Sequence, residues 1–348
     1  MAVVEDKAAQ DWRSENEKAE DTPLALARRR ARERGRGREA EAPDDIPARG
    51  WRDILWRVIY AIPEDRVLST AGSVAFFAML AIFPGLATVV SLYGLFADAA
   101  SIGTHVALLD GVVPDGVLEL VANELTRISA NRSDTLGAAF VVSLLIAFWS
   151  ANGGVAALFD ALNVVYKERE KRSILRFYAT TFLFTIGGVV FVLLAVSVVV
   201  VLPVMLSAFG AATQAERVVG YARWPVLLLA VMFALALIYR YGPSRRMAKW
   251  RWVSPGSVIA ALAWVGVSML FSWYVTSFDS YNRVYGSLGA GVGFVTWMWL
   301  SAVVVLIGGE LNAEMEHQTA RDTTEGSREK PLGARGAVVA DTVGEAQG

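Results

Sequence analysis

Residues 284–309 read VYGSLGAGVGFVTWMWLSAVVVLIGG, 26 positions without a charge between Arg283 and Glu310. A helix rises 1.5 Å per residue, so about 20 apolar residues cross the hydrocarbon of a bilayer. Five more charge-free runs precede it: Val67–Ala97, Thr135–Phe159, Phe177–Ala215, Trp224–Tyr239 and Trp252–Phe278. The third is too long for one crossing, and Pro203 and Gly210 place its end near 202. The fourth is short and borrows residues from Val218–Ala222. The expected architecture is all-α and polytopic, with spans at about 69–96, 135–159, 177–202, 220–239, 253–278 and 286–309 inside a membrane domain over 49–317.

Composition agrees. The 348 residues are 54% hydrophobic and 19% charged, against about 25% charged in a soluble chain. The net charge of −1 conceals how the charge is distributed. Residues 67–309 hold only 15 Lys/Arg and 11 Asp/Glu, and the rest gathers at the two ends. Counted through the segments between spans, Lys and Arg run 14, 2, 5, 2, 5, 1 and 4, alternating without exception. One side therefore holds 28 and the other 5. The rich side is expected in the cytoplasm, with both termini. No span carries a charge in its interior, where insertion costs about 2.5–3.5 kcal/mol. Ion-coupled carriers accept that cost to build relays, so an ordinary proton-driven carrier is disfavoured.

The first 50 residues lack the apolar core of a signal peptide. Residues 1–48 and 318–348 mix charges with Gly and Pro and are expected to be disordered cytoplasmic tails. Arg28–Arg38 (RRRARERGRGR) offers a contact for anionic lipids, although the acids at Glu39, Glu41, Asp44 and Asp45 largely cancel it. No specific nucleic-acid partner is expected. Over Arg49–Ile62, Trp51, Ile54, Leu55, Val58, Ile59 and Ile62 recur at helical spacing, with Arg52, Asp53 and Arg57 expected to face away. That is a helix in the membrane interface, broken at Pro63. A second amphipathic helix, with Val117, Val121, Leu125 and Ile128 on one stripe, is expected in the first outer loop.

The absence of Cys excludes thiolate chemistry, and His105 and His317 alone cannot build a histidine metal centre. No phosphate-binding loop, nucleophile elbow or zincin helix occurs. No catalytic residue, metal ligand or cofactor is expected. Candidate cavity or gate residues remain. Pro84 should kink the first span. Tyr281, Tyr285 and Gly286 lie in the Gly-rich entry to the sixth span, where Gly289-x-x-x-Gly293 fits close helix packing and allows a homo-oligomer. Asn152, Asp160 and Asn163 on the second span and Glu310, Asn312 and Glu314 ending the sixth form a polar rim, at the same depth as Arg240, Arg245, Arg246, Lys249 and Arg251, either an ion-paired structural feature or a gate or head-group site. Trp297 lies deep enough to pack between helices, face lipid or line a cavity.

Several stretches together resemble one family. They are Ser73–Phe96 around Pro84, Asp160–Tyr166 (DALNVVY), Trp252-x-x-x-Gly256, Tyr281–Leu288 (YNRVYGSL) and Gly308–Glu314 (GGELNAE). In this order they resemble the YihY/virulence factor BrkB family of bacterial inner-membrane proteins, over about residues 50–317. The resemblance implies six membrane helices and cytoplasmic termini. The family has carried a "ribonuclease BN" label, which this sequence does not support, since it lacks the clustered His and Asp of a metal-dependent nuclease. The functional expectation is a transporter or flippase of lipid or another amphiphilic envelope component. The alternative is an envelope scaffold that binds partners through its tails and outer helix.

Overall fold

The computed structural model describes residues 22–96, 135–198, 213–277 and 287–347. Its helices are α1 (Pro23–Arg30), α2 (Ala48–Glu64), α3 (Val67–Phe96), α4 (Thr135–Val165), α5 (Ile174–Val196), α6 (Thr213–Tyr241), α7 (Trp250–Ser277), α8 (Ser287–Gln318) and the single turn α9 (Val338–Asp341). Among the described residues the only β pairing is one bridge, Ala248 to Thr324. The chain is an all-α, multi-pass membrane protein. Helices α4 to α8 each contain a stretch long and apolar enough to cross a bilayer. Helix α3 is 30 residues long, but among the described residues only Val67–Ala81 form an apolar stretch, shorter than a crossing, so five spans are found where six are expected.

The outward faces confirm the solvent these helices meet. Leu145 and Trp149 on α4, Leu183 and Leu193 on α5, Leu229 and Phe233 on α6, and Met269 and Leu270 on α7 are all exposed. Continuous apolar surface on this scale is intolerable in water and is covered by lipid. Helix α8 is central, packing against α2, α3, α4 and α7. Its Ala302, Val303, Val304 and Leu306 are buried with Ala260 and Ala261 of α7 and Val67 and Ala71 of α3.

Several expectations change. Helix α8 does not stop at Gly309 but runs nine residues further, through Glu310, Asn312, Glu314 and Glu316. Helix α3 is one helix through Pro84, as a kinked helix also is. The break expected at Pro63 falls two residues later, at Asp65 and Arg66, where Arg66 takes a left-handed φ of 51°. Pro84's side chain, Tyr281, Tyr285, Gly286 and the outer-loop helix lie outside the described residues.

The tails also differ from expectation over their described parts. Residues 22–47 and 319–347 fold against each other and against the end of the bundle that carries both termini. Arg38, 2% exposed, donates to the carbonyls of Gln318 (3.1 Å) and Gly344 (2.7 Å) and pairs with Glu33. Ala320 N–H returns to the Arg38 carbonyl at 2.7 Å. Lys249 N–H and Glu325 N–H pair the α6–α7 loop with the C-terminal segment at 2.8 and 2.9 Å. Low hydrophobicity suggested disorder, but these segments gain order from backbone carbonyls and charges supplied across the chain.

Candidate functional site

Helices α7 and α8 cross where Gly256 meets Gly308. A Cβ on Gly308 would stand 2.6 Å from the Ala260 methyl, and one on Gly256 only 2.5 Å from Asn312 Cγ. The missing side chains let Asn312, fully buried, reach the α7 backbone. Its Oδ1 accepts from Gly256 N–H at 2.9 Å, and its Nδ2 donates to the Val253 carbonyl at 3.2 Å. Replacing Asn312 by Ala should cost about 1–3 kcal/mol, the usual cost of unpaired buried polar groups. Equilibrium unfolding in mixed micelles measures it, and an unchanged midpoint would remove this role.

The extension of α8 is a ladder of buried acids. Glu314 is bound by Arg57 of α2, which also donates to Gln318 Oε1 at 2.6 Å and the Glu345 carbonyl at 2.9 Å. Glu316 is bound by Arg245 through two bonds of 2.7 and 2.8 Å and by Thr323 at 2.8 Å. Both side chains of the Arg245–Glu316 pair are 0% exposed, and the Arg245 guanidinium lies 4.3 Å from the centre of the Tyr166 ring. Burial works against the charge on Arg245, but Glu316 outweighs it and raises the guanidinium above its ordinary value. The expectation that Asp53 and Arg57 face away from the packed side is therefore corrected. Arg36 grips Asp53 with bonds of 2.7 and 2.9 Å, and both Asp53 and Arg57 turn inward. Leu55, Trp56, Ile59 and Tyr60 form the exposed face instead.

Asn163 ties the α4–α5 loop to the α6–α7 loop. It accepts from Ser244 N–H at 2.7 Å and donates to Glu170 at 3.0 Å. Burial pushes Glu170 up, but bonds from Arg172, Asn163 and Ser244 outweigh it and hold the carboxyl at about 2. The stability it contributes is complete above the ordinary value of 4.5 and fades as pH falls toward 2.

A groove of about 460 Å³ opens between α3, α4 and α5. Its lining includes Thr70, Ser73, Phe77, Trp149, Asn152, Asp160 and Tyr178. Asn152 is 2% exposed and accepts from the Thr185 hydroxyl at 3.4 Å. Trp149 is 69% exposed and stacks on Tyr178. Asp160 is exposed, on the same face of α4 near its terminal end.

The sequence candidates thus divide. Asn152 and Asp160 share the groove. Asn163 is a loop tie, Asn312 a helix clamp, and Glu310 a buried acid under the α2–α3 link. Trp297 belongs to none of these. Its Nε1 donates to Ser268 at 3.1 Å while Trp264 donates to Ser301 at 3.0 Å, a reciprocal tie between α7 and α8. The close approach expected at Gly289-x-x-x-Gly293 is not seen at Gly293, where a Cβ would have Phe271 no nearer than 3.9 Å. Among the described residues, no group of three or more His, Asp or Glu is placed to hold a metal.

These clamps are built from the stretches Trp252-x-x-x-Gly256, DALNVVY and GGELNAE, all of which lie inside the region matched by a known family. The sequence profile of the Virulence factor BrkB family matches residues 58–332. The chain belongs to the BrkB family. It is 30% identical, over 73% of this chain and 91% of the relative, to a Bacillus subtilis (strain 168) protein named "Putative ribonuclease-like protein YfkH". It is 25% identical to UPF0761 membrane protein Bxeno_A3061 of Paraburkholderia xenovorans, over 76% and 61% of the two chains. A UPF0761 membrane protein of Idiomarina loihiensis is 26% identical over 73% and 87%. No solved structure matches.

Reading the BrkB-family sequence alone missed Arg57, Tyr166 and Glu316. The available signal was spacing: Glu310 with Glu314, and Asn312 with Glu316, lie four apart on one helix and so project on two faces. The sequence places Glu310, Asn312 and Glu314 at one rim, but Glu316 joins them only because α8 continues to Gln318.

Proposed function

We propose that this BrkB-family protein moves an amphiphilic envelope lipid across the inner membrane, with both termini in the cytoplasm, and that the α3–α4–α5 groove admits it. The observation that carries the reading is the groove's graded lining. Along α4, Asp160 lies about 16 Å from Trp149, at 1.5 Å per residue. Asp160 and Thr70 mark the end near the termini, Ser73 and Asn152 lie deeper, and Phe77 and Trp149 are deepest. A head bearing an amine or hydroxyls suits the first part and an acyl chain the last. Binding sites for small molecules commonly combine apolar walls with a few placed polar groups. The basic-residue asymmetry of 28 to 5 supports the orientation. A scaffold recruiting partners through free arms fits less well, because residues 22–47 and 319–347 are bonded to the bundle.

We also propose an anionic-lipid contact, on α2 and apart from the groove. Arg36, Arg49, Arg52 and Asp53, the last already paired with Arg36, line a recess of about 280 Å³ beside the exposed Trp56 and Ile59 of α2. We place the lipid contact there rather than along the whole Arg28–Arg38 run, since Arg38 is buried.

Reconstitution into vesicles with headgroup-labelled lipids tests the reading. Wild type should transfer lipid well above protein-free vesicles, and Trp149→Ala and Asp160→Asn should each slow transfer several-fold without loss of folded protein. Transfer at the protein-free rate by folded wild type would sink the proposal.

A further inference from the structure

Glu310 is the one rung of the α8 ladder that nothing holds. Its side chain is 0% exposed, and neither carboxylate oxygen has a hydrogen-bond partner. Glu314 has Arg57, and Glu316 has Arg245 and Thr323. What faces Glu310 is a second acid, Asp65, in the two-residue link between α2 and α3, within hydrogen-bonding reach. Asp65 is bound through both oxygens by Lys167, just beyond the end of α4, and Lys167 also lies 3.9 Å from Glu64. The remaining groups around this point are Glu314 on α8 and Tyr166, just past the end of α4. Glu314 in turn faces Arg57 and, at 3.5 Å, His317.

Two ionised carboxylates offer one another only acceptors. Lys167 supplies a single positive charge and spends it on Asp65. A buried acceptor without a donor costs about 1–3 kcal/mol, and an unpaired buried charge costs more. One proton between the acids removes the surplus charge and supplies the missing donor, as in other carboxyl pairs that share a site. A metal ion fits poorly, because the Lys167 ammonium already takes the cationic place and no third acid or imidazole completes a ligand set among the described residues.

We propose that Glu310 and Asp65 form a proton-binding site, sharing one proton taken from the aqueous phase at the terminal end, and that occupancy is coupled to the seating of α2. Asp65 is carried by the link at which α2 turns into α3, beside the left-handed Arg66. Lifting α2 from α8 takes Asp65 away from Glu310. Water then reaches both carboxyls, each ionises, and the proton returns to that phase. Reseating α2 requires a proton again. The site is separate from the groove and stands whether or not the groove passes a lipid.

Infrared titration of the full-length protein in nanodiscs tests this. At neutral pH, wild type should show a protonated-carboxyl stretch that moves on exchange into D₂O and is lost as pH rises. Glu310→Gln should lose that band and keep the wild-type melting temperature, since the amide mimics the protonated acid. Asp65→Asn should lose it too, because the new amide donates to an ionised Glu310. It also supplies the reading if Glu310→Gln does not fold. A wild type without the band, or a band untouched in both variants, would overturn the proposal. So would sodium or potassium shifting wild-type stability but not that of Glu310→Gln, which would make the site a cation site.

Discussion

Arg245→Ala lowers the stability of the folded bundle by about 3–5 kcal/mol, the usual penalty for leaving a buried charge without its partner. Glu316 is then 0% exposed with only Thr323 to bind it, and the Tyr166 ring loses the guanidinium over its face. The penalty belongs to the orphaned acid rather than to the pair, so the double variant Arg245→Met with Glu316→Leu should recover most of it. Equilibrium unfolding in mixed micelles, run as a double-mutant cycle, separates the two. Equal losses in the single and double variants would show that packing of the arginine stem, not charge, sets the cost.

Gly256→Val is the second large effect, at about 3 kcal/mol. It adds side-chain atoms where even a Cβ would stand 2.5 Å from Asn312 Cγ, with the Gly308 carbonyl on the same spot. Overpacking costs about 1–3 kcal/mol, and displacing the Asn312 amide adds the loss of two buried bonds. Asn312→Ala made together with Gly256→Val should cost less than the two singles added, because both break the same clamp. Strict additivity would show that the clamp and the crossing are independent.

Charge-free length found the membrane helices because each lipid-facing element must satisfy its own backbone, a requirement written along the chain. Spans two to six all fall on α4 to α8. The same logic ends the sixth span at Gly309 and puts Glu310, Asn312 and Glu314 at its rim. An acid ordinarily marks the end of a span, and only arginines distant in sequence make Glu314 and Glu316 tolerable inside. Arg57 meets Glu314 across 257 positions and Arg245 meets Glu316 across 71. Such pairings leave no local trace in either partner's neighbourhood. Asp53 and Arg57 were misassigned for this reason, since amphipathicity treats charge as a mark of the wet face. Asn152 and Asp160 were legible as polar residues on a span, but the groove they share is a property of three helices. The role of Gly256 follows from its approach to Asn312, 56 positions away.

The interlock of the two ends also fixes an order of assembly. Arg36 pairs with Asp53 from just before α2, but the partners of Arg57 come much later in the chain: Glu314, Gln318 and the Glu345 carbonyl, with Gln347 N–H at 3.0 Å from Asp53 as well. Arg38 waits across 306 positions for the Gly344 carbonyl. Contacts this distant form late. The base therefore closes only after residues 314–347 are in place. A fusion or truncation at the C-terminus acts on this last step, so its effect on yield reports on maturation rather than insertion.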